Sequence, residues 1–167
     1  TSLTEINFTK LKTLGSACFK ACSEVTTVNL PLATSIPIDG FIYCSKLETL
    51  NMPLATSIGG NGLRSCTSLV EVDLPSLESI SSYALTGCTA LQRLILRNDV
   101  VCTLNNTNGL SSTITSSTGS GYIYVPSALI DSYKAATNWS NYASKFRALE
   151  DYTVDGTTTG AIDETKI

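Results

Sequence analysis

The apolar residues of this chain recur in a fixed order. Leu3, Ile6, Phe8, Leu14, Phe19 and Cys22 align with Val25, Val28, Leu30, Ile36, Phe41 and Cys44. The same six positions return as Leu47, Leu50, Met52, Ile58, Leu63 and Cys66, then as Leu69, Val72, Leu74, Ile80, Leu85 and Cys88, so the cysteines fall every 22 residues. A fifth unit begins with Leu91, Leu94 and Leu96 and then drifts, with Cys102 standing where the earlier units have isoleucine. A period of this length means one supersecondary unit used again.

Within a unit, the segment LxxLxL ends in proline at Pro31, Pro53 and Pro75. Its last positions alternate, with Val28 and Leu30 inward and Thr27 and Asn29 outward, which is the period of a strand. Proline has no N–H with which to continue a ladder, so the strand stops there. The later part of the unit, such as 82–88, sets Leu85 and Cys88 at i and i+3 and predicts one short helical or 3₁₀ turn. Each unit thus reads as strand, corner, turn, corner. A single unit cannot bury its own apolar side chains, but stacked units lay their strands side by side in a parallel sheet along one face. Each inward Leu, Ile or Val then contributes roughly 1.5–3 kcal/mol of burial.

The pattern LxxLxLP, followed by an Ile and then by Phe or Leu three residues before Cys, resembles the leucine-rich repeats of BspA-like (Treponema pallidum type) bacterial surface proteins. The resemblance covers Leu3 to Leu96. Leu63 and Leu85 stand where that family usually has Phe, and its Gly after the Ile is kept as Gly15 and Gly59 but is Pro37 and Ser81 elsewhere. The fold expected is an α/β solenoid: a right-handed leucine-rich-repeat superhelix with a parallel sheet on one face. An extracellular or cell-surface location, adhesion, and a host or bacterial surface protein or glycan as partner are what the resemblance implies.

Beyond the repeats, 103–121 is rich in Ser, Thr, Asn and Gly, with Leu104, Leu110 and Ile114 as its large apolar residues, and reads as an irregular half-unit and loop. Tyr122–Val125 is a strand ended by Pro126. Ser127 is a candidate N-cap for a helix with Leu129, Ile130, Tyr133 and Ala136 on one face. Asn138 opens a second, turn-rich helix carrying Trp139, Tyr142, Phe146 and Leu149. Together they form a strand-helix cap, similar to the terminal segments that follow such repeats in gut-bacterial surface proteins. The divisions are therefore 1–121 repeats, 122–149 cap, and 150–167 a polar tail that either adds a strand through Tyr152 and Val154 or serves as a linker. The start at Thr1, already inside a repeat, reads as an excised or processed piece.

Composition removes several classes of function. The 167 residues carry a net charge of −3 with Lys and Arg scattered singly, which gives no basic stripe for nucleic acid. No apolar run reaches the roughly 18 residues that span a bilayer, and there is no charged and apolar leader pattern. Histidine is absent, and with it the commonest general base and metal ligand. No Ser-Lys arrangement replaces it, so neither an enzyme, a metal nor a cofactor is expected. Equivalent positions in a stack point the same way, which opposes bridging, so the six cysteines are expected as free thiols; Cys18 and Cys22 are the pair hardest to dismiss.

The candidate binding face is the outward strand row: Glu5, Asn7, Thr27, Asn29, Thr49, Asn51, Glu71, Asp73 and Arg93, with Ile95 beside it. It forms a polar, mildly acidic groove for a peptide or glycan, presented by a monomer. The plainer alternative is an Asn7–Asn29–Asn51 side-chain ladder that merely suits stacked strands, on a face with no aromatic residue. The aromatics Tyr122, Tyr124, Tyr133, Trp139, Tyr142 and Phe146 are assigned to the cap core. Sequons at Asn105 and Asn138 carry little meaning in such a chain.

Overall fold

A computed structural model describes residues 3–113, 121–154 and 157–158. In chain order the repeat strands are β1 (Glu5–Asn7), β2 (Thr27–Asn29), β3 (Thr49–Asn51), β4 (Ser57–Ile58), β5 (Glu71–Asp73), β6 (Ser79–Ile80), β7 (Arg93–Ile95) and β8 (Thr103–Leu104). They are followed by β9 (Tyr122–Val125), helix α1 (Ile130–Ala135), β10 (Phe146–Ala148), β11 (Thr153–Val154) and β12 (Thr157–Thr158). The repeats form a solenoid-like stack of parallel strands.

The first face holds the predicted LxxLxL strands, but not as one sheet. β1, β2 and β3 pair in parallel, and β5, β7, β9 and β10 form a second parallel sheet, with no ladder joining β3 to β5. This corrects the single continuous sheet expected from the repeat. The seam falls where the outward column changes from Asn51 to Asp73, whose carboxylate has no N–H to pass on to Asn51. Units three and four stay bonded elsewhere, through Asn61, Leu63 and Ser65 N–H groups donating to the Ser82, Ala84 and Thr86 carbonyls.

A second strand face goes beyond the expected strand, corner, turn and corner. The isoleucine column is itself a short parallel sheet, β4-β6-β8, extended by an Ile36–Ile58 bridge. Ile58 pairs with Ile80, and Ile80 with Leu104. Leu104, not Cys102, therefore fills the isoleucine slot of the fifth unit, because that unit carries two extra residues before it. Gly59 shows how close the coils come at this corner. A Cβ there would lie 2.8 Å from the Ile38 nitrogen of the unit before.

The remaining side is a ladder of turns rather than the helical or 3₁₀ turn expected. Alternate N–H groups fold back three residues, as from Gly40 to Pro37, Ile42 to Asp39 and Cys44 to Phe41, while those between them, from Asp39, Phe41 and Tyr43, reach the Gly60, Gly62 and Arg64 carbonyls of the next unit. A helix would commit both sets internally and leave neighbouring coils unbonded. The cost is backbone strain. Ala17, Asp39, Asn61 and Tyr83 form one column with positive φ, and Ala21, Tyr43, Ser65 and Gly87 a second. For a non-glycine residue this conformation costs on the order of 1–2 kcal/mol.

The inward residues of all faces make one core, from Ile6 through Leu110 to Phe146. The C-terminal segment is continuous with it. β9 lies beside β7, β10 beside β9, and Tyr133, Trp139, Tyr142 and Phe146 are all buried. Cys102 is held from both sides: its N–H donates to the Tyr133 hydroxyl at 2.8 Å and its carbonyl accepts from Trp139 Nε1 at 2.6 Å. Asn138 Nδ2 and the Tyr142 hydroxyl donate to the Leu104 and Thr107 carbonyls. These bonds satisfy backbone groups of the irregular fifth unit.

Two details of this segment differ from expectation. Ser127 does not cap a helix with its side chain; its N–H and hydroxyl meet the Glu150 carboxylate, at the start of a 3₁₀ turn Ser127–Leu129. Phe146 lies not on the second helix but on β10, because the 3₁₀ segment Trp139–Lys145 ends before it and the free edge of β9 offers a ladder. Leu149 begins a further 3₁₀ turn, Leu149–Asp151, and β11 pairs antiparallel with β12. Ile114 and the end of the tail lie outside the described residues.

Candidate functional site

The outward strand face divides at the seam. In β1–β3 the residues face solvent with few constraints: Glu5, Asn7, Thr49 and Asn51 are exposed, and Thr27 and Asn29 half-buried. Strict register puts the three asparagines opposite one another. Asn29 Nδ2 donates to Asn7 Oδ1 at 2.9 Å and Asn51 Nδ2 to Asn29 Oδ1 at 2.7 Å. Asn29 spends one donor and one acceptor on its neighbours, Asn7 only an acceptor and Asn51 only a donor, and the remaining amide groups are left for water or a ligand.

Beyond the seam the same face is covered. Arg97 grips Asp73 with two bonds, Nε to Oδ1 at 2.9 Å and Nη2 to Oδ2 at 2.6 Å, both side chains being largely buried. The third guanidinium nitrogen of Arg97, Nη1, is buried without a hydrogen-bond partner among the described residues. Glu71 Oε2 accepts from Arg93 Nε and from the Tyr152 hydroxyl, each at 2.7 Å. Burial and then the Glu71 carboxylate push the Tyr152 phenol up to about 12. The charged partners also raise the Arg93 and Arg97 pKa values, so both cations are permanent.

Ile95, outward by alternation, is fully buried, in a second small core with Leu149, Tyr152 and Tyr124. Tyr124 and Tyr152 pack 4.9 Å apart, centroid to centroid. Arg147 lies over the Tyr122 ring at 4.0 Å. The expectation that no aromatic residue lies on this face is therefore wrong for its C-terminal half, as is the assignment of Tyr122 and Tyr124 to the inner core. Alternation in YIYV, with Ile123 and Val125 inward, already turns both tyrosines outward. Arg97 continues the outward series Arg93, Ile95 past the strand end. No local signal announces Tyr152, whose hydrogen-bond partner Glu71 lies 81 residues earlier.

The cysteine column has a defined role. Cys44, Cys66 and Cys88 donate Sγ–H to the Phe19, Phe41 and Leu63 carbonyls of the preceding unit, at 3.2, 3.3 and 3.0 Å. All six cysteines are free; Cys18 is exposed, Cys22 half-buried and the rest buried. Burial pushes the thiol of Cys44 up to about 11 and those of Cys88 and Cys102 to about 12, and raises Cys66 as well. These are protonated packing groups, not nucleophiles. The fifth unit places buried Thr113 three residues after Leu110, where Cys88 follows Leu85, and its hydroxyl bonds the Leu110 carbonyl.

Among the described residues no group of His, Cys, Asp and Glu is arranged to hold a metal ion, and no helix is long and apolar enough to cross a membrane. Compared with known families, residues 34–116 match the BspA type leucine-rich repeat region, in six copies. A search of curated proteins found no match.

Proposed function

Residues 34–116 belong to the BspA type leucine-rich repeats, and from that premise we propose that the chain is a non-catalytic binding module of a bacterial cell-surface or secreted protein. Leucine-rich repeats generally mediate protein–protein interaction, and BspA-type repeats are commonly surface-associated. The module serves adhesion or host contact through a protein or glycan partner. It does so with the outward face of β1–β3, built from Glu5, Asn7, Thr27, Asn29, Thr49 and Asn51. The observation that carries this reading is the contrast along the row, which is open before the seam and filled by the chain's own Arg97, Tyr124 and Tyr152 after it. Glu71, Asp73 and Arg93 then frame the groove rather than contact the partner.

In the same reading the coil is right-handed, as parallel strand crossovers nearly always are. Residues 1–121 form the repeat unit of the protein and 122–149 its cap, closing the core with Tyr133, Trp139, Tyr142 and Phe146. A structural spacer with no ligand is the second reading, favoured by the Asn ladder, whose side chains already bond one another. Replacing Thr27 and Thr49 together with lysine separates the two. Immobilised matrix proteins and cultured epithelial cells that bind the chain should lose it while the melting curve is unchanged. No binding before or after the change supports the spacer.

A further inference from the structure

We propose that the turn side of the stack, separate from the strand face, carries a binding site for an acidic sugar, a carboxylated pyranoside, formed by Tyr43, Arg64 and Tyr83. The turn ladder obliges two residues in each coil to take positive φ. Most occupants of the two columns suit that demand: Gly87 has no Cβ, Asp39 and Asn61 tolerate the conformation best among the rest, and Ala17, Ala21 and Ser65 are small. Tyr43, at φ 63°, and Tyr83, at φ 59°, are bulky residues in the same strained backbone. Neither ring fills the core, since Tyr43 is 46% and Tyr83 43% exposed. Core burial therefore does not account for them, and strain kept at exposed positions points to function.

Arg64 links the two tyrosines. The Tyr43 N–H donates to the Arg64 carbonyl at 2.9 Å, and the Arg64 guanidinium carbon lies 5.7 Å from the Tyr83 ring centroid. The side chains around them are fixed in sequence. Asn61 Nδ2 donates to Asp39 Oδ1 at 3.0 Å, Arg64 Nη1 donates to Asn61 Oδ1 at 3.3 Å, and Asn108 Nδ2 donates to the Tyr83 hydroxyl at 3.3 Å. The guanidinium and one ring are thus oriented before any ligand arrives, which lowers the ordering cost of binding.

The charge selects the ligand. Arg93 and Arg97 are each neutralised by a carboxylate of this chain, whereas among the described residues Arg64 has no salt-bridge partner. A planar guanidinium beside the Tyr83 ring takes a carboxylate through its N–H fork, while an exposed tyrosine ring stacks on the C–H face of a pyranose. A single cation is too little for a polyphosphate chain, whose binding needs many neutralising contacts.

The test is a titration of the whole chain with trigalacturonate and with 3′-sialyllactose, against lactose as the neutral probe, followed by calorimetry and by aromatic NMR signals. At least one acidic probe binds and shifts the Tyr43 and Tyr83 signals, and lactose does not. Arg64→Gln, Tyr43→Gly and Tyr83→Gly each weaken that binding by about tenfold or more. The two glycine variants melt no lower than the parent, because glycine adopts positive φ freely. The proposal is overturned if neither acidic probe binds, if lactose binds equally, or if Tyr43→Gly and Tyr83→Gly keep full affinity. The pair Thr27→Lys and Thr49→Lys leaves the binding unchanged; its loss there would move the ligand to the strand face and equally defeat the proposal.

Discussion

The outer strand face contains two solutions to the same problem. In β1–β3 polar side chains are paired laterally, amide to amide, and remain in contact with water. In β5, β7 and β9 the equivalent positions are Glu71, Asp73, Arg93, Ile95 and Tyr124, bound by ion pairs and roofed by Leu149 and Tyr152. Both rows stand on nearly identical inward residues, so the difference lies in what the outward residue can donate. An amide gives and receives, and so propagates from coil to coil. A carboxylate only receives, and so recruits an arginine from further along the chain. The first half is left open to solvent and the second is committed to the fold.

The sharpest way to break this contrast is Asp73→Ala. It leaves Arg97, whose side chain is only 16% exposed, without its carboxylate. The expected loss is about 3 kcal/mol in urea unfolding, and a loss under about 0.5 kcal/mol would place Asp73 on the open side of the comparison. Tyr152→Ala comes next: it uncovers Ile95 and removes the hydroxyl from Glu71, and should cost about 2 kcal/mol by the same measurement. Tyr152→Phe should cost about half of that, which separates the ring from its hydroxyl.

The buried thiols supply a pH test of the interior beneath both halves. Their folded-state pKa values lie above the reference 9.0, with Cys44 at about 11 and Cys88 at about 12. The folded chain therefore keeps these protons after the unfolded chain has released them. Their contribution is complete below pH 9 and is lost as pH rises from there through 12. Thermal melts should fall steeply above pH 9, and Cys44→Ala with Cys88→Ala should flatten that fall; an unchanged slope rejects the assignment. Iodoacetamide under native conditions should label Cys18 and Cys22 well before the buried thiols, with all six reacting in denaturant.

The smallest effect is expected on the open side. Asn29→Ala or Asn51→Ala interrupts an exposed ladder and should alter stability by only about 0.5 kcal/mol. A loss comparable with that of Asp73→Ala would show that the asparagines serve the fold, and would favour the spacer reading.

Much of the architecture is legible in the residues because burial in a stack is periodic. The units after the first reuse the same inward positions, with Val28, Val72 and Leu94 buried where alternation places them and Leu50 half-buried, whereas Leu3 and Phe8 of the first unit are exposed. The Asn ladder also follows from register, since Asn7, Asn29 and Asn51 are one period apart. The isoleucine sheet is not legible in the residues because a two-residue strand has no alternation to display. The turn ladder is not legible either, because i, i+3 apolar spacing fits a helix and a run of turns equally well. The slip in the fifth unit depended on Leu104, which becomes identifiable as the isoleucine equivalent only when it pairs with Ile80.

By itself, the sequence determined the repeat, its inward residues and its strand positions, because hydrophobic burial is read residue by residue. Tertiary structure alone decided which outward residues remain free. That depends on what arrives from elsewhere in the chain: Arg97 at Asp73, Tyr152 at Glu71, and Tyr133 and Trp139 at Cys102. Hydrogen bonds and ion pairs are directional and satisfied pairwise, so their partners are settled only when the coils are stacked and the segment from Tyr122 to Tyr152 has folded back upon them.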